Sequence, residues 1–365
     1  MSRKSVGKTE QQLDRRGFLK SSLLAGAGTS AAVFAAGTLP ATAAPRNEEP
    51  SGTSSNGQTG GIPVRAFGKT GWKLPILAMG GSAMVQRFIS AYGVKLLSMD
   101  ERVAMVRHAY DKGIRYFDTA RVYGESESII GKALKGVREN AFIATKIYVT
   151  RPADTRKCLE TSLKELGTDH VETAQIHSPV IEAIGFDKAM KVHAELVKLR
   201  DEKMLRYIGL TTHVAFKDVH RMIATGGFDQ CLLAYGYFRK GMDTLLSNKN
   251  LELRELCLDK AHELGMGIVA MKVMGASVFG HNAQNIVADY DADARKRLPA
   301  AAIRWVLQDP RISLLNIGVS MPSDVDDNLA VLSRDLKFTD EDRRLLADFS
   351  QRAYESSEFK KMRVV

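Results

Sequence analysis

Eight short apolar runs recur along this chain, each followed by a longer stretch with helical spacing, and few folds accommodate that alternation. The runs are ILAMG (76–80), IRYFDT (114–119), FIATK (142–146), VETAQIH (171–177), YIGLTT (207–212), QCLLAY (230–235), GIVAMK (267–272) and SLLNIG (313–318). Between them lie segments such as MDERVAMVRHAYDKG, ADTRKCLETSLKELG, FDKAMKVHAELVKLRDEK and LELRELCLDKAHELG. Ser98 with Glu101 predicts a capping box ahead of the first of these, and Gly113, Gly167 and Gly265 stand where helices should stop. The fold class is therefore α/β, a closed parallel (β/α)8 TIM barrel spanning residues 63–365. The segment VRAFGKTGWKLPI, with Gly71 between two half-apolar stretches, predicts an N-terminal hairpin, and the tail beyond the last run predicts an extra C-terminal helix. An open doubly wound sheet is the alternative, but it would carry a glycine-rich phosphate loop after its first strand, and ILAMGGSAM has none.

Residues 1–43 read as an address. Two arginines, Arg15 and Arg16, precede Gly17-Phe18-Leu19-Lys20; a mildly apolar, Ala- and Gly-rich stretch follows, then Ala41-Thr42-Ala43. A basic start, a short apolar run and an A-x-A site describe a secretory signal, and the paired arginines resemble the twin-arginine export type. The segment is too rich in Gly, Ser and Thr, and too interrupted by Pro40, to suit a membrane-spanning helix; an uncleaved anchor is the alternative. The expected location is periplasmic or otherwise extracytoplasmic, with the twin-arginine machinery as a transient partner. Gly26-Ala27-Gly28-Thr29-Ser30-Ala31 matches the dinucleotide fingerprint, but it lies inside this segment and not between a strand and a helix, so it is set aside. Residues 44–62, polar and rich in Gly, Ser and Pro, predict a flexible tether.

The formal charge is +10, and the first 43 residues, with six Lys or Arg and two Asp or Glu, hold +4 of it. No run of five basic residues occurs in the rest, so a solvated surface is expected, not a nucleic-acid patch. Cys158, Cys231 and Cys257 contain no CxxC pair and sit in apolar or helical stretches, which predicts buried thiols.

Barrel enzymes carry their reactive groups at the C-terminal ends of the strands. The second run ends in Asp118 and its loop brings Tyr123; the third ends in Lys146; the fourth ends in His177. Each alone has a structural explanation: a cap, a loop aromatic, an ion pair, a core histidine. Together, on neighbouring strands, they make a chemical set. An ammonium beside a phenol favours the phenolate and lowers its pKa from about 10, a carboxylate keeps the lysine charged, and a neutral imidazole donates to a carbonyl oxygen.

The segments carrying these residues, FDTARVYGESESIIGKALKG (117–136), FIATKIY (142–148) and QIHSP (175–179), resemble the hallmark segments of the aldo-keto reductase superfamily. The likeness runs from about residue 63 to 350. By that resemblance Asp118, Tyr123, Lys146 and His177 match the family's catalytic tetrad. The implied reaction is reversible hydride transfer between NAD(P)H and an aldehyde or ketone, with Tyr123 as general acid and no metal.

The resemblance also implies a cofactor side, and there the chain departs from the pattern. Thr211 and Thr212 replace the usual Ser-Asn after strand five, Leu232 a common Gln, and Met271 a common stacking Tyr. Lys272 follows, directed at the mouth or the phosphates. After strand eight, GVSMPSDVDDNLA should make the phosphate loop, with Gly318, Ser320 and backbone N–H groups offered to the dinucleotide and Asn328 matching the family's adenine-side Asn. Asp324 falls where many NADP-preferring members have Arg, so NADP by resemblance stands against NAD from this carboxylate.

Tyr148, Met84 and Tyr237 are candidate walls of a substrate pocket, with Phe88 beside Met84. The substrate is a small carbonyl compound. A nucleotide-binding redox sensor or partner subunit on the same barrel is the rival reading. A metal-dependent barrel hydrolase is disfavoured, because no HxH or comparable cluster ends a strand. Replacing Arg15 and Arg16 by lysine should leave folded protein in the cytoplasm, whereas exported wild type should begin at or near Ala44. Fractionation with N-terminal sequencing checks both, and an extracytoplasmic chain starting at Met1 supports the anchor instead.

Overall fold

The computed structural model describes residues 58–59, 61–89, 94–241 and 245–361. The expected signal at 1–43, including Arg15 and Arg16, lies outside these residues, as does most of the expected tether. The tether reading fails at its end. Strand β1 (Gln58–Thr59) pairs antiparallel with β2 (Ile62–Ala66), Gln58 opposite Pro63 and Thr59 opposite Ile62, and Ile62 is buried. Backbone pairing and one apolar anchor suffice to order residues that composition alone marks as polar.

The expected hairpin is formed by β2 and β3 (Lys73–Pro75), with Gly71 left-handed at the turn; β1 extends it to three strands. The barrel follows: β4 (Leu77–Gly80), β5 (Tyr116–Asp118), β6 (Phe142–Ile147), β7 (Val171–Ile176), β8 (Leu205–Thr212), β9 (Gln230–Ala234), β10 (Gly267–Met271) and β11 (Leu314–Gly318). All neighbours are parallel, and β11 returns to β4, closing the sheet. Every expected run became a strand.

The helices that cover the barrel include α2 (Met99–Asp111), α3 (Ser126–Ala133), α4 (Thr155–Leu166), α5 (Ser178–Asp201, kinked at Gly185), α6 (Phe216–Ala224), α7 (Asn248–Glu263), α9 (Ala292–Leu307) and α10 (Pro322–Leu332). Short α1 (Gln86–Ile89) follows β4, and short α8 (Ala283–Ile286) lies in the loop after β10. The capping box at Ser98 is made: Glu101 N–H donates to Ser98 Oγ at 3.3 Å and Ser98 N–H to the Glu101 carboxylate at 2.8 Å. Beyond the barrel the extra C-terminal element is two helices, α11 (Asp340–Glu355) and α12 (Ser357–Lys361), which share a second apolar cluster with Phe238, Phe279 and Tyr290. The three cysteines are buried free thiols.

Strand parity sets what faces the barrel axis, and the interior reads in layers from bottom to mouth. Phe67, just after β2, plugs the bottom, edge-on to Tyr116 and Phe142, with Trp72 edge-on to Phe142 and Tyr207 stacked on it. Gly267 is required there: a Cβ would come within 2.5–2.8 Å of the Phe67 ring. Above, Tyr116, Gln230 and Thr173 form a buried polar tier, Gln230 donating to the Tyr116 hydroxyl at 3.0 Å and Thr173 to Gln230 at 3.3 Å. Gly209 makes room for it, since a Cβ would crowd Gln230, Gln175 and Thr173 at 2.8–3.0 Å. The next tier is Gln175, Asp118 and Lys146. No helix among the described residues is long and apolar enough to cross a membrane.

Candidate active site

The four residues expected to act together are brought together. Asp118 ends β5, Lys146 lies one residue before the end of β6, His177 follows β7 and Tyr123 sits in the turn between β5 and α3. Asp118, Lys146 and His177 are buried. Lys146 Nζ donates to Asp118 Oδ2 at 2.5 Å and to the Thr119 carbonyl at 2.8 Å, while Gln175 donates to Asp118 Oδ1 at 3.0 Å. The same ammonium stands 4.8 Å from the centre of the Tyr123 ring. Tyr123 is edge-on to His177 at 6.0 Å and to Phe88 at 5.5 Å. Burial pushes the Lys146 pKa down, and the adjacent Asp118 carboxylate opposes that shift. His177 is held well below 6.5, first by burial and then by the Lys146 charge, so its imidazole is neutral at physiological pH.

The turn carrying Tyr123 is tied to β6 by a second buried carboxylate that the sequence reading passed over. Glu127, in the first turn of α3 and fully buried, accepts from Thr145 Oγ1 at 2.6 Å and pairs with Arg121 from the same turn. Thr119 N–H donates to the Ala144 carbonyl at 2.8 Å, and the Thr119 and Ser126 hydroxyls bond each other at 2.8 Å. Thr145 precedes Lys146, so these contacts fix the phenol's turn against the lysine's strand. Glu127 lies inside the ESESIIG stretch, but only the fold shows which strand its carboxylate reaches.

The expected cofactor residues fall on β8, on and after β10, at the end of β11 and on α10. Thr211 Oγ1 accepts from Ser178 N–H and Thr212 Oγ1 from Ala215 N–H, both at 2.8 Å. Met271 is buried on β10, and Leu232 is buried on β9. Lys272 has left-handed backbone (φ 65°), as do Ala276 and Ser277 after it. Gly318 ends β11 close to Gly80, Ser320 is buried, and Asn328 is buried on α10. Asp324 is engaged locally: its carboxylate accepts from the N–H groups of Ser320 at 2.8 Å and Met321 at 3.0 Å and pairs with His281 Nε2 at 2.8 Å. His281, raised in pKa chiefly by that bond, is a basic group arriving from the loop after β10.

Among the wall candidates, Tyr148 is 46% exposed and edge-on to His177 at 5.9 Å. Met84 is buried in the main core, its carbonyl accepting from Arg102 at 3.0 Å. Tyr237 packs on Phe279 and Trp305 beside the second apolar cluster. Phe88 and Tyr148 are the aromatic neighbours of the Tyr123–His177 pair.

Several buried polar atoms of this end of the barrel have no partner among the described residues: Gln175 Oε1, His177 Nδ1, His213 Nδ1, Asn316 Oδ1 and Ser320 Oγ. An unmet buried donor or acceptor costs about 1–3 kcal/mol, so their clustering marks a ligand-binding surface. No group of three or more metal-ligating side chains occurs among the described residues.

A closed parallel barrel with a buried Lys–Asp pair, a tyrosine and a neutral histidine at its C-terminal rim is the scaffold of a carbonyl-handling enzyme. Residues 90–350 match the model of the aldo/keto reductase family, and the chain belongs to that family. It is an NAD(P)-dependent oxidoreductase acting on carbonyl or alcohol groups. It is 28% identical over 291 residues to L-galactose dehydrogenase of Arabidopsis thaliana, covering 74% of this chain and 88% of that protein. It is 26% identical over 329 residues to probable aldo-keto reductase 1 of Glycine max, covering 77% and 87%. The fold matches a putative aldo-keto reductase from Pseudomonas aeruginosa with a TM-score of 0.56 at 22% identity, over 74% of this chain and 94% of that one. It also matches the holo form of an aldo-keto reductase from Bacillus halodurans with a TM-score of 0.59 at 17% identity, over 79% and 96%.

His177 and His213 are both held well below 6.5 by burial, reinforced by Lys146 and by Lys272 respectively. As pH falls below about 6.5, the unfolded chain takes up protons that the native imidazoles refuse, so stability is lost from there down to the native values. Each imidazole contributes a slope of at most about 1.4 kcal/mol per pH unit. The His177→Phe variant should therefore lose stability less steeply between pH 6.5 and 5.5, measured by denaturant unfolding. An unchanged slope would mean that His177 takes up its proton in the native state as readily as in the unfolded chain.

Proposed function

We propose that this protein reduces an aldehyde or ketone with NAD(P)H, with Tyr123 handing the proton to the carbonyl oxygen and the same groups serving the reverse oxidation. The observation carrying this reading is the buried Lys146 ammonium, which bonds to Asp118 and lies 4.8 Å from the Tyr123 ring centre. A cation so placed favours the phenolate, which makes the phenol a better proton donor near neutral pH. His177, neutral and at the phenol's edge, orients the carbonyl oxygen and stabilises the charge that develops on it. Asp118 keeps the lysine charged, and Gln175 holds Asp118.

The chain fits a dinucleotide. The unmet Ser320 Oγ, together with the N-terminus of α10, offers donors to phosphates, with Gly318 beside them. Thr211, Thr212, Met271, Lys272, Asp324 and Asn328 would complete the hold. Held by these residues, NAD(P)H would supply the hydride chemistry. Tyr123 supplies the proton to the carbonyl oxygen and regains one from solvent.

The reading extends to export: the paired arginines and the A-x-A site support function outside the cytoplasm, with folded protein delivered by the twin-arginine route. Tyr123→Phe should lower carbonyl reduction by about 10²- to 10⁴-fold while nucleotide affinity holds within a few fold. A variant keeping more than half of its kcat would remove Tyr123 from the role.

On the choice of dinucleotide we propose a preference for NAD(H). No Lys or Arg occurs from Ile312 to Ser333, and Asp324 is followed by Asp326 and Asp327. His281 is paired with Asp324, while His108 and Lys112 are paired with Asp326. Like charges about 4 Å apart near a surface repel by several kcal/mol before screening, which disfavours a 2′-phosphate at this carboxylate. Asp324→Arg should raise affinity for NADPH relative to NADH at least tenfold, read as a ratio of dissociation constants so that loss of the local cap cancels. Tighter NADPH binding by wild type, with a ratio the substitution does not change, would place Asp324 away from the phosphate.

A further inference from the structure

The inner wall where β11 meets β4 is nearly bare of side chains. Register pairs Asp118 with Gly80, Gly80 with Gly318, and Ala78 with Asn316. Paired residues of neighbouring parallel strands share a face, and Asp118 faces the barrel axis. Ala78 and Gly80 of β4, and Leu314, Asn316 and Gly318 of β11, therefore face it too. Two of these five are glycines level with the catalytic carboxylate, and only Asn316 carries a polar side chain. Asn316 belongs neither to the tetrad nor to the cofactor set that the family resemblance implies.

Asn316 is 9% exposed, and its Oδ1 is buried with no hydrogen-bond partner among the described residues. The oxygen is aimed at Gly80: a Cβ added there would lie 3.1 Å from Asn316 Oδ1 and 3.3 Å from the Gly318 nitrogen. Glycine at position 80 thus gives the carboxamide its place, and a larger residue would press on it. Leucine has nearly the shape of asparagine and would fill position 316 without an unmet acceptor. A buried acceptor left unpaired destabilises the native state, so its retention points to a donor supplied by a ligand.

The same wall separates the two halves of the proposed cofactor site. The barrel order runs β10, β11, β4, β5, β6, β7. Ser320 and the N-terminus of α10 follow β11, whereas Asp118, Lys146 and His177 stand on or after β5, β6 and β7. A dinucleotide held by its phosphates at α10, with its nicotinamide at the tetrad, crosses β11 and β4, where Gly318 and Gly80 present no side chain. Between the phosphates and the nicotinamide lies a ribose, and its hydroxyls are donors. We infer that Asn316 is a cofactor-positioning residue, its carboxamide oxygen accepting a hydrogen bond from a hydroxyl of the ribose that carries the nicotinamide. This rests on the dinucleotide reading of the site and adds to it a contact outside the tetrad and the phosphate loop.

ADP-ribose carries that ribose and ADP lacks it, so the two ligands isolate the contact without turnover. Where wild type binds NADPH more tightly than NADH, the 2′-phosphorylated forms of both ligands are used. With purified full-length protein, Asn316→Leu should weaken ADP-ribose by about three- to tenfold, the worth of one neutral hydrogen bond, and leave ADP within about twofold, both read by titration calorimetry. The unfolding midpoint of nucleotide-free Asn316→Leu should equal or exceed that of wild type, because the substitution removes an unmet acceptor. Asn316→Ala, which adds no volume to the wall, should show the same selective loss of ADP-ribose. ADP-ribose affinity unchanged in both variants, or lost in step with ADP, overturns the inference and leaves the dinucleotide reading intact. Wild type that binds neither NADH nor NADPH overturns the dinucleotide reading and the inference with it.

Discussion

The Lys146–Asp118 pair is the interaction around which this end of the barrel is organised. Both groups are buried, and a buried ammonium or carboxylate left alone carries an effective penalty of several kcal/mol. Each is therefore tolerable only with the other and with added hydrogen bonds, here from Gln175 to the carboxylate and from the ammonium to the Thr119 carbonyl. Breaking such a pair by removing one partner typically costs about 3–5 kcal/mol, more than most single core changes. The charge is nonetheless useful where it is. In a tier above the Gln230–Thr173–Tyr116 layer, it stands 4.8 Å from the Tyr123 ring centre and adds to burial in keeping His177 neutral.

Around that pair the barrel supplies rigidity. Phe67 closes the bottom, packed edge-on against Tyr116 and Phe142. The turn that carries Tyr123 is held to β6 by Glu127 and Thr145 rather than by its own short sequence. The rim from β8 to α10 is different in character. Its polar atoms are oriented but incompletely paired, and the loop after β10 holds three non-glycine residues in left-handed backbone. Local strain and unmet polar groups are what a binding surface retains when its partner is a ligand instead of the protein.

The family's pattern and the local structure diverge on the dinucleotide side. Read in one dimension, Asp324 is an acid free to contact a ribose. In the fold both of its oxygens are already used, by two N–H groups at the start of α10 and by His281. The Asp324–His281 pair is a carboxylate partly neutralised by an imidazole and not a bare aspartate. His281 was illegible because it lies 43 positions away, in a loop with no periodicity to place it.

Taken alone, the sequence determined the eight strands, their order, the helix stops at glycine, the three polar groups at the ends of neighbouring strands and the tyrosine in the turn after the first of them. It could do so because period-two and period-3.6 hydrophobic patterns, capping residues and strand-end chemistry are local properties that the chain writes directly. Tertiary structure decided the rest. It ordered Gln58–Thr59 through pairing with β2, sent Met84 into the core and Tyr237 to the second apolar cluster, and occupied the oxygens of Thr211, Thr212 and Asp324 with backbone donors. It also set Asn316 against Gly80 where β11 meets β4, a relation between strands that barrel closure and register create and that no spacing along the chain records.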